Sequence, residues 1–243
     1  MQFNFIANAQ VPSLSGRTLP VIDPSDGQPY DEIQRSSPAD LHDAVGAAQQ
    51  CLYATWRSTS AVERGRLLYR LSQLVTEHAE ELAAIEQRDC GKPTRQARAD
   101  AQALARYFEF YAGAADKLHG ETLPYQQGYS VLTWHEPHGV TGHVIPWNYP
   151  MQIFGRSVGA ALAAGNTCVV KPSEDACLSL LRVAELAAQA GFPAGAINIA
   201  TGLGHEVGDA LARHPGIDHI SFTGSPTAVS YTHLRAHETR GNL

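Results

Sequence analysis

The chain has 243 residues with 18 Lys and Arg against 24 Asp and Glu, so its formal net charge is -6 at pH 7. This acidic balance argues against nucleic acid as the main partner, because phosphate binding requires clustered basic side chains. A hydrophobic content of 44% is sufficient for a sizeable core. The sequence shows neither a signal-peptide pattern nor the roughly 18 apolar residues of a membrane span. We therefore expect a cytoplasmic location, no membrane partner and a small-molecule ligand.

The cysteines and histidines do not fall at metal-binding spacings. Cys51, Cys90, Cys168 and Cys177 form no C-x-x-C pair, and the 11 His are scattered along the chain. We expect reduced, structural thiols and no metal site.

The segment 37–119 predicts three helices with short breaks. Ser37 is a candidate cap for the first, and Ser60 with Glu63 matches a capping box at the start of the second, which we expect to end at "CGKP". The third is predicted over about 94–118. The apolar residues recur at helical spacing throughout, as is typical of helices that pack on a core.

Residues 121–138 interrupt this helical pattern. They contain two Pro and an alternating run from Val131 to Trp134, which predicts an extended arm or a hairpin. Whether the arm is an interface is left open by the residues themselves.

From Gly139 to Ser225 short apolar runs alternate with helical patterns. The strands are predicted at "GVTGHVI", "TCVVKPS", "AINIAT" and "HISFTG". Helical crossovers between short strands are typical of parallel pairing, so the fold class is α/β with a doubly wound parallel sheet. In such a sheet the turns "PWN", "KPSE", "TGLG" and "FTGS" should converge on one crevice at the carboxyl ends of the strands.

Two of these turns are rich in glycine. Gly204 and Gly208 open a helix after a strand, and Gly224 with Ser225 follows another strand. Bare backbone at a helix N-terminus is suited to a phosphate, although a tight turn without a ligand explains either pattern taken alone.

The other two turns carry polar side chains. Glu174 can accept hydrogen bonds from both ribose hydroxyls, and it would repel a 2′-phosphate, so NAD is favoured over NADP; Lys171 can donate to the same sugar. Asn148 lies between Pro146 and Pro150, and a fixed amide donor there could stabilise an oxyanion. The alternatives are a helix cap with a solvated Lys and a turn-forming Asn.

Together the segments "GVTGHVIPWNYP", "AALAAGNTCVVKPSE", "AGFPAGAINIATGLG" and "HISFTGS" resemble the NAD(P)-dependent aldehyde dehydrogenase superfamily. The resemblance continues upstream through "VIDPSDGQPY", "ERGRLLYRL" and "GKP", and covers about residues 3–227. It implies a Rossmann-like domain with N-terminal helices, an oligomerisation arm at 121–138, and a full-length homodimer or homotetramer. It also implies oxidation of an aldehyde to a carboxylate through a thiohemiacetal and a thioester.

The resemblance assigns roles to particular positions of this chain. Asn148 matches the catalytic Asn that holds the oxyanion. The positions expected to contact the cofactor are Ile145, Pro146, Trp147, Lys171, Ser173, Glu174, Gly204, Gly208, Phe222, Thr223, Gly224 and Ser225.

The chain departs from the family pattern near its end. The family's catalytic Glu and nucleophilic Cys lie beyond the FTGS turn in segments that we do not find, so we expect the catalytic domain to be absent and the chain to be inactive alone. We interpret 1–228 as an incomplete NAD-binding domain and 229–243 as a non-native or disordered tail. The run "VSYTHLRAHET" resembles a translated transposon-end sequencing adapter.

Two alternatives stay open at this point. One is a non-catalytic dinucleotide-binding module, and the other is a fragment of a CoA-acylating semialdehyde dehydrogenase.

Overall fold

A computed structural model describes residues 1–224 of the chain. Within that range the strands are β1 Asn4–Ile6, β2 Ala9–Val11, β3 Thr18–Ile22, β4 Pro29–Gln34, β5 Thr122–Leu123, β6 Val131–Leu132, β7 Val140–Ile145, β8 Thr167–Pro172, β9 Ile197–Ile199 and β10 His219–Phe222. The α-helices are α1 Pro38–Ala54, α2 Ala61–Glu77, α3 Ala79–Cys90, α4 Thr94–Ala114, α5 Pro150–Ala164, α6 Leu178–Gln189 and α7 Asp209–Arg213. None of these helices is long and apolar enough to cross a membrane.

The main sheet has the strand order β10-β7-β8-β9-β1-β2. Its first four strands pair in parallel, as the sequence predicts, whereas β1 pairs antiparallel with both β9 and β2. The sheet is therefore dominated by parallel pairing but carries an antiparallel edge that the sequence did not reveal. Both β1 and β2 have three residues, too few for an alternating pattern to stand out.

Helices cover both faces of this sheet. On one face α1 contacts β7, β8 and β9 and also meets α7, while on the other face α5 and α6 contact each other and the strands. The strands β8 and β9 are buried along their whole length, as expected for parallel strands that are covered on both faces. This arrangement confirms the doubly wound α/β class.

The helix starts agree with the sequence better than the helix breaks. Ser37 and Ser60 each cap a helix in a complete capping box, in which the side chain of Asp40 or Glu63 accepts from the N–H of the capping serine. The prediction of one helix between Ser60 and "CGKP" is wrong, because the chain bends at His78 and forms α2 and α3. A bend at a single residue leaves the apolar period almost continuous, so the pattern does not show it. The helix α4 also ends earlier than the sequence predicts.

The arm at 121–138 forms a hairpin, in which β5 pairs antiparallel with β6. It exposes large aromatic side chains: Tyr125 is 67%, Tyr129 69% and Trp134 73% exposed. This confirms the hairpin alternative, while the role of the arm in oligomerisation stays a prediction.

The contact between α2 and α4 depends on a glycine. A Cβ atom on Gly65 of α2 would lie 2.7 Å from the backbone oxygen of Ala112 in α4. Gly46 lies on the exposed face of α1. Apart from its own helix and chain neighbours, no atom of the described residues lies within 4 Å of a Cβ added there. Both glycines are helical, but only Gly65 lies at a close contact, so Gly46 is a suitable control for substitution of Gly65.

We expect Gly65→Ala to lower the free energy of unfolding by about 1–3 kcal/mol, because the backbone of α4 cannot move aside without losing its packing. Gly46→Ala should raise it by about 0.5–1 kcal/mol through helix propensity alone. Urea unfolding followed by circular dichroism measures both. Equal effects of the two substitutions would show that the α2 and α4 contact is not tight.

Candidate functional site

The four predicted turns lie at one edge of the sheet. Because β10, β7, β8 and β9 are parallel neighbours, their carboxyl ends point the same way. Backbone hydrogen bonds continue the pairing beyond the strands: the N–H of Ser173 donates to Ile145 O at 2.8 Å, and that of Thr223 donates to Val144 O at 3.2 Å. The turns therefore start from the same edge, as far as residue 224, whereas their convergence on one crevice stays a prediction.

Lys171 and Glu174 join the KPSE turn to the TGLG turn. Lys171 is only 3% exposed, and its Nζ lies 2.6 Å from Glu174 Oε2. The other carboxylate oxygen accepts from the N–H of Gly204 at 3.3 Å. Burial alone would raise the pKa of Glu174, but the charge and hydrogen bond of Lys171 outweigh it and lower that pKa below its usual value. The carboxylate is therefore ionised at neutral pH.

The glycines of the TGLG turn have two different functions. Gly202 has φ +140°, and an added Cβ would lie 3.0 Å from Val207 Cγ2, so the turn itself requires glycine there. For Gly204 and Gly208 the nearest atoms to an added Cβ belong to Lys171, at 3.8 and 4.0 Å. An added Cβ at either position would therefore contact nothing closer than the Lys171 side chain. The bare backbone thus leaves a cradle beside a buried ammonium, which fits a phosphorylated cofactor.

The helix after this turn differs from the expected one. It begins as a π-helix over Gly204–Gly208 and continues as the short α7. Its first turn is tied to the end of β4 by a bidentate ion pair, with Arg35 Nε 3.0 Å from Glu206 Oε2 and Arg35 Nη2 2.6 Å from Glu206 Oε1. These two residues are 171 positions apart, so no local pattern could have revealed the contact.

Asn148 lies in the exposed turn between β7 and α5, beside Trp147, which is 55% exposed. Pro150 is the first residue of α5, in the position where proline favours a helix start. Two hydrogen bonds from the segment after α3 and from its last residue hold the backbone of this turn. Asn148 O accepts from Lys92 Nζ at 3.2 Å, and Trp147 O accepts from Cys90 Sγ at 3.1 Å. Sequence reasoning took "CGKP" only as a helix end and missed these contacts.

The remaining predicted cofactor residues are only partly accessible. Ile145 is 1% exposed, so its side chain belongs to the core and only its backbone borders the turn. Pro146, Ser173 and Phe222 are half-buried, whereas Thr223 and Gly224 are exposed at the end of β10. Ser225 lies outside the described residues, as do the predicted domain boundary after 228 and the tail at 229–243.

The cysteines are unsuited to nucleophilic attack. All four are free thiols. Burial raises the pKa of Cys51 to about 11 and the pKa values of Cys90 and Cys168 to about 12, and it also raises the pKa of Cys177 well above its usual value. At neutral pH these side chains are thiols rather than thiolates.

Comparison with known proteins agrees with this geometry. The model of the aldehyde dehydrogenase family matches residues 11–240. Hydroxyisobutyraldehyde dehydrogenase of Mycolicibacterium austroafricanum is 48% identical over 221 residues, which cover 91% of this chain and 44% of that protein. The chain thus spans about half the length of the relatives it matches.

Solved structures extend the likeness to three dimensions. A crystal structure of a protein assigned as an aldehyde dehydrogenase from Burkholderia cenocepacia has a TM-score of 0.95 and 68% identity, over 97% of this chain and 50% of that one. The NAD+ complex of aldehyde dehydrogenase from Bacillus cereus has a TM-score of 0.95 and 37% identity, over 98% of this chain and 49% of that one. The chain therefore belongs to the aldehyde dehydrogenase family and corresponds to the N-terminal half of its structures.

Proposed function

We propose that this chain is the cofactor-binding part of a protein that oxidises an aldehyde to a carboxylic acid with NAD. The observation that carries the proposal is the meeting of the Lys171–Glu174 pair, the bare backbone at Gly204 and the Asn148 turn at one sheet edge. NAD bound at this edge would supply the hydride acceptor. The relatives' activity and the NAD+ complex of the Bacillus cereus protein support the assignment.

In this proposal the residues of the chain bind and orient rather than attack. Burial keeps Cys51, Cys90, Cys168 and Cys177 protonated, so none of them is the nucleophile. We assign the acyl chemistry to residues outside 1–224.

Asn148 is the proposed donor to the developing oxyanion. Its side chain is exposed at the sheet edge, and its backbone is held by Lys92. A donor that is already oriented before the reaction costs no reorganisation when negative charge develops on the carbonyl oxygen.

Glu174 is the proposed determinant of the preference for NAD. Its carboxylate is ionised and, as an acceptor with about four lone-pair sites, it retains capacity beyond the bonds from Lys171 and Gly204. It can therefore accept from ribose hydroxyls, whereas a 2′-phosphate would meet a negative charge.

The full-length assembly is a further part of the proposal. The exposed Tyr125, Tyr129 and Trp134 of the 121–138 hairpin fit an apolar interface between copies, in a homodimer or homotetramer. The cytoplasmic location stays a prediction of the sequence.

The function is tested with Asn148→Asp in the full-length protein. We expect kcat for NADH formation to fall by about 10²–10³-fold, because one oxyanion donor is lost, while the affinity for NAD changes little. Steady-state NADH fluorescence with a panel of aldehydes that includes hydroxyisobutyraldehyde measures this. The matched control is Gln50→Glu, the same amide-to-carboxylate change on the exposed face of α1.

The products of the unmodified protein separate the alternatives. A free acid formed without CoA supports hydrolytic aldehyde oxidation, whereas dependence on CoA supports the acylating reaction. NAD binding without turnover of any aldehyde would support the non-catalytic module and contradict our proposal.

The cofactor preference is tested with Glu174→Gln. We expect the Kd for NAD to rise about tenfold, because hydrogen bonds to a charged acceptor weaken, and the Kd for NADP to fall, because the repulsion disappears. Calorimetric titration of both cofactors measures the ratio, and thermal melting checks that Lys171 tolerates the change. Asp175→Asn, the removal of an exposed neighbouring carboxylate, is the control. A parallel shift of both affinities in Glu174→Gln would contradict the assignment.

A further inference from the structure

A buried ammonium lies directly beneath the Asn148 turn. Lys92 follows α3 in the chain, and its Nζ lies 2.6 Å from Glu86 Oε1, 2.7 Å from Asp100 Oδ2 and 3.2 Å from Asn148 O. The three acceptors come from α3, α4 and the turn after β7. The group therefore links two helices to the sheet edge.

This cluster is costly to bury. The side chains of Glu86 and Asp100 are 0% exposed and that of Lys92 is 10% exposed. Ions removed from water lose much of their hydration energy, and only well-placed partners offset the loss. Burial raises the pKa of Glu86 to about 7 despite the opposing charge of Lys92. A hydrophobic trio could fill the same space, so stability alone is a weak reason for charges here.

The same cluster holds most of the segment 147–152. Beyond the bond to Asn148 O, the Lys92 ammonium lies 5.0 Å from the centre of the Tyr149 ring. Glu86 Oε2 accepts from Met151 N at 3.3 Å, and Asp100 Oδ1 accepts from Gln152 Nε2 at 2.6 Å. We call Lys92, Glu86 and Asp100 the clamp, because together they bind both the Asn148 turn and the first helical turn of α5.

The clamp acts on the backbone that orients Asn148. An exposed turn residue can rotate about φ and ψ, and each such rotation moves its side chain. A charge-assisted bond to Asn148 O, together with fixed groups at 149–152, restricts these rotations on the side away from solvent. Asn148 itself is exposed to solvent.

We propose that Lys92 is a positioning residue, which fixes the Asn148 carbonyl from below and so aims the Asn148 amide at the site where the aldehyde reacts. The catalytic part of this statement rests on the proposed function, whereas the clamp on 147–152 does not. Misplacement of a reacting group by about 1 Å can cost about 10²-fold in rate, so a clamp of this kind affects kcat.

The decisive experiment is a double-mutant cycle in the full-length protein. Lys92→Met should lower kcat by about 10–100-fold while the KM for NAD changes by less than about threefold. In an Asn148→Ala background the same substitution should change kcat by less than about twofold, because there is no amide left to aim. A purely structural role would give the same loss in both backgrounds, and that result would overturn the proposal.

Hydrogen exchange tests the clamp independently of activity. In Lys92→Met we expect the backbone amides of 147–149 and 151–152 to exchange about tenfold faster or more, with β8 unchanged. Unchanged exchange at 147–152 would overturn the clamp even if the protein is active. If the unmodified protein oxidises no aldehyde, the proposed function fails, and the exchange data still decide whether Lys92 holds the turn.

Two further variants complete the design. Lys117→Met, at a lysine whose side chain is 69% exposed, should leave kcat and exchange unchanged. If Lys92→Met does not fold, the double variant Lys92→Met with Asp100→Asn is tested in the same cycle. It also removes the buried carboxylate charge of Asp100, which the loss of Lys92 leaves unpaired.

Discussion

The parallel pairing of β7 with β8 is the constraint on which the site depends. Val144 is opposite Lys171 and Ile145 opposite Pro172, and the bond from Ser173 N to Ile145 O continues the pairing past the strand ends. Both strands are almost fully buried between helices, so a slip by one residue would turn every side chain to the opposite face of the sheet and against the wrong helix. The register therefore fixes the position of the Asn148 turn, along the strand direction, relative to Lys171 and Glu174.

Above this register, two buried lysines organise the two turns in similar ways. Lys171 holds Glu174, which in turn accepts from the backbone of Gly204, and Lys92 is held by carboxylates while it donates to the backbone of Asn148. In each case a charge taken out of water is satisfied partly by backbone groups of a turn. Because an unpaired buried charge is so unfavourable, such bonds restrict the turn more than exposed ones would. These bonds therefore restrict the backbone at Asn148 and Gly204.

The sequence predicted the features that depend on local pattern. The four parallel strands are short apolar runs between helices, and the serine caps at 37 and 60 form their bonds within three residues. The edge shared by the turns followed from the topology. The contacts that hold the site could not be predicted, because Lys92 is 56 positions from Asn148 and Arg35 is 171 from Glu206. Nothing in "CGKP" distinguishes a lysine that ends a helix from one that lies under a distant turn.

Among the described residues, burial determines which side chains can form hydrogen bonds at the edge and which cannot react. Glu174 and Asn148, which can form hydrogen bonds, reach the edge, whereas the thiols of Cys51, Cys168 and Cys177 are buried and that of Cys90 is half-buried. Desolvation stabilises the neutral thiol and so removes the thiolate that attack requires, while Lys171 keeps Glu174 charged despite its burial. Desolvation thus keeps the cysteine thiols protonated, whereas at Glu174 the charge of Lys171 outweighs it. In the proposed function this edge orients a cofactor and a carbonyl group, and the nucleophile comes from residues outside 1–224.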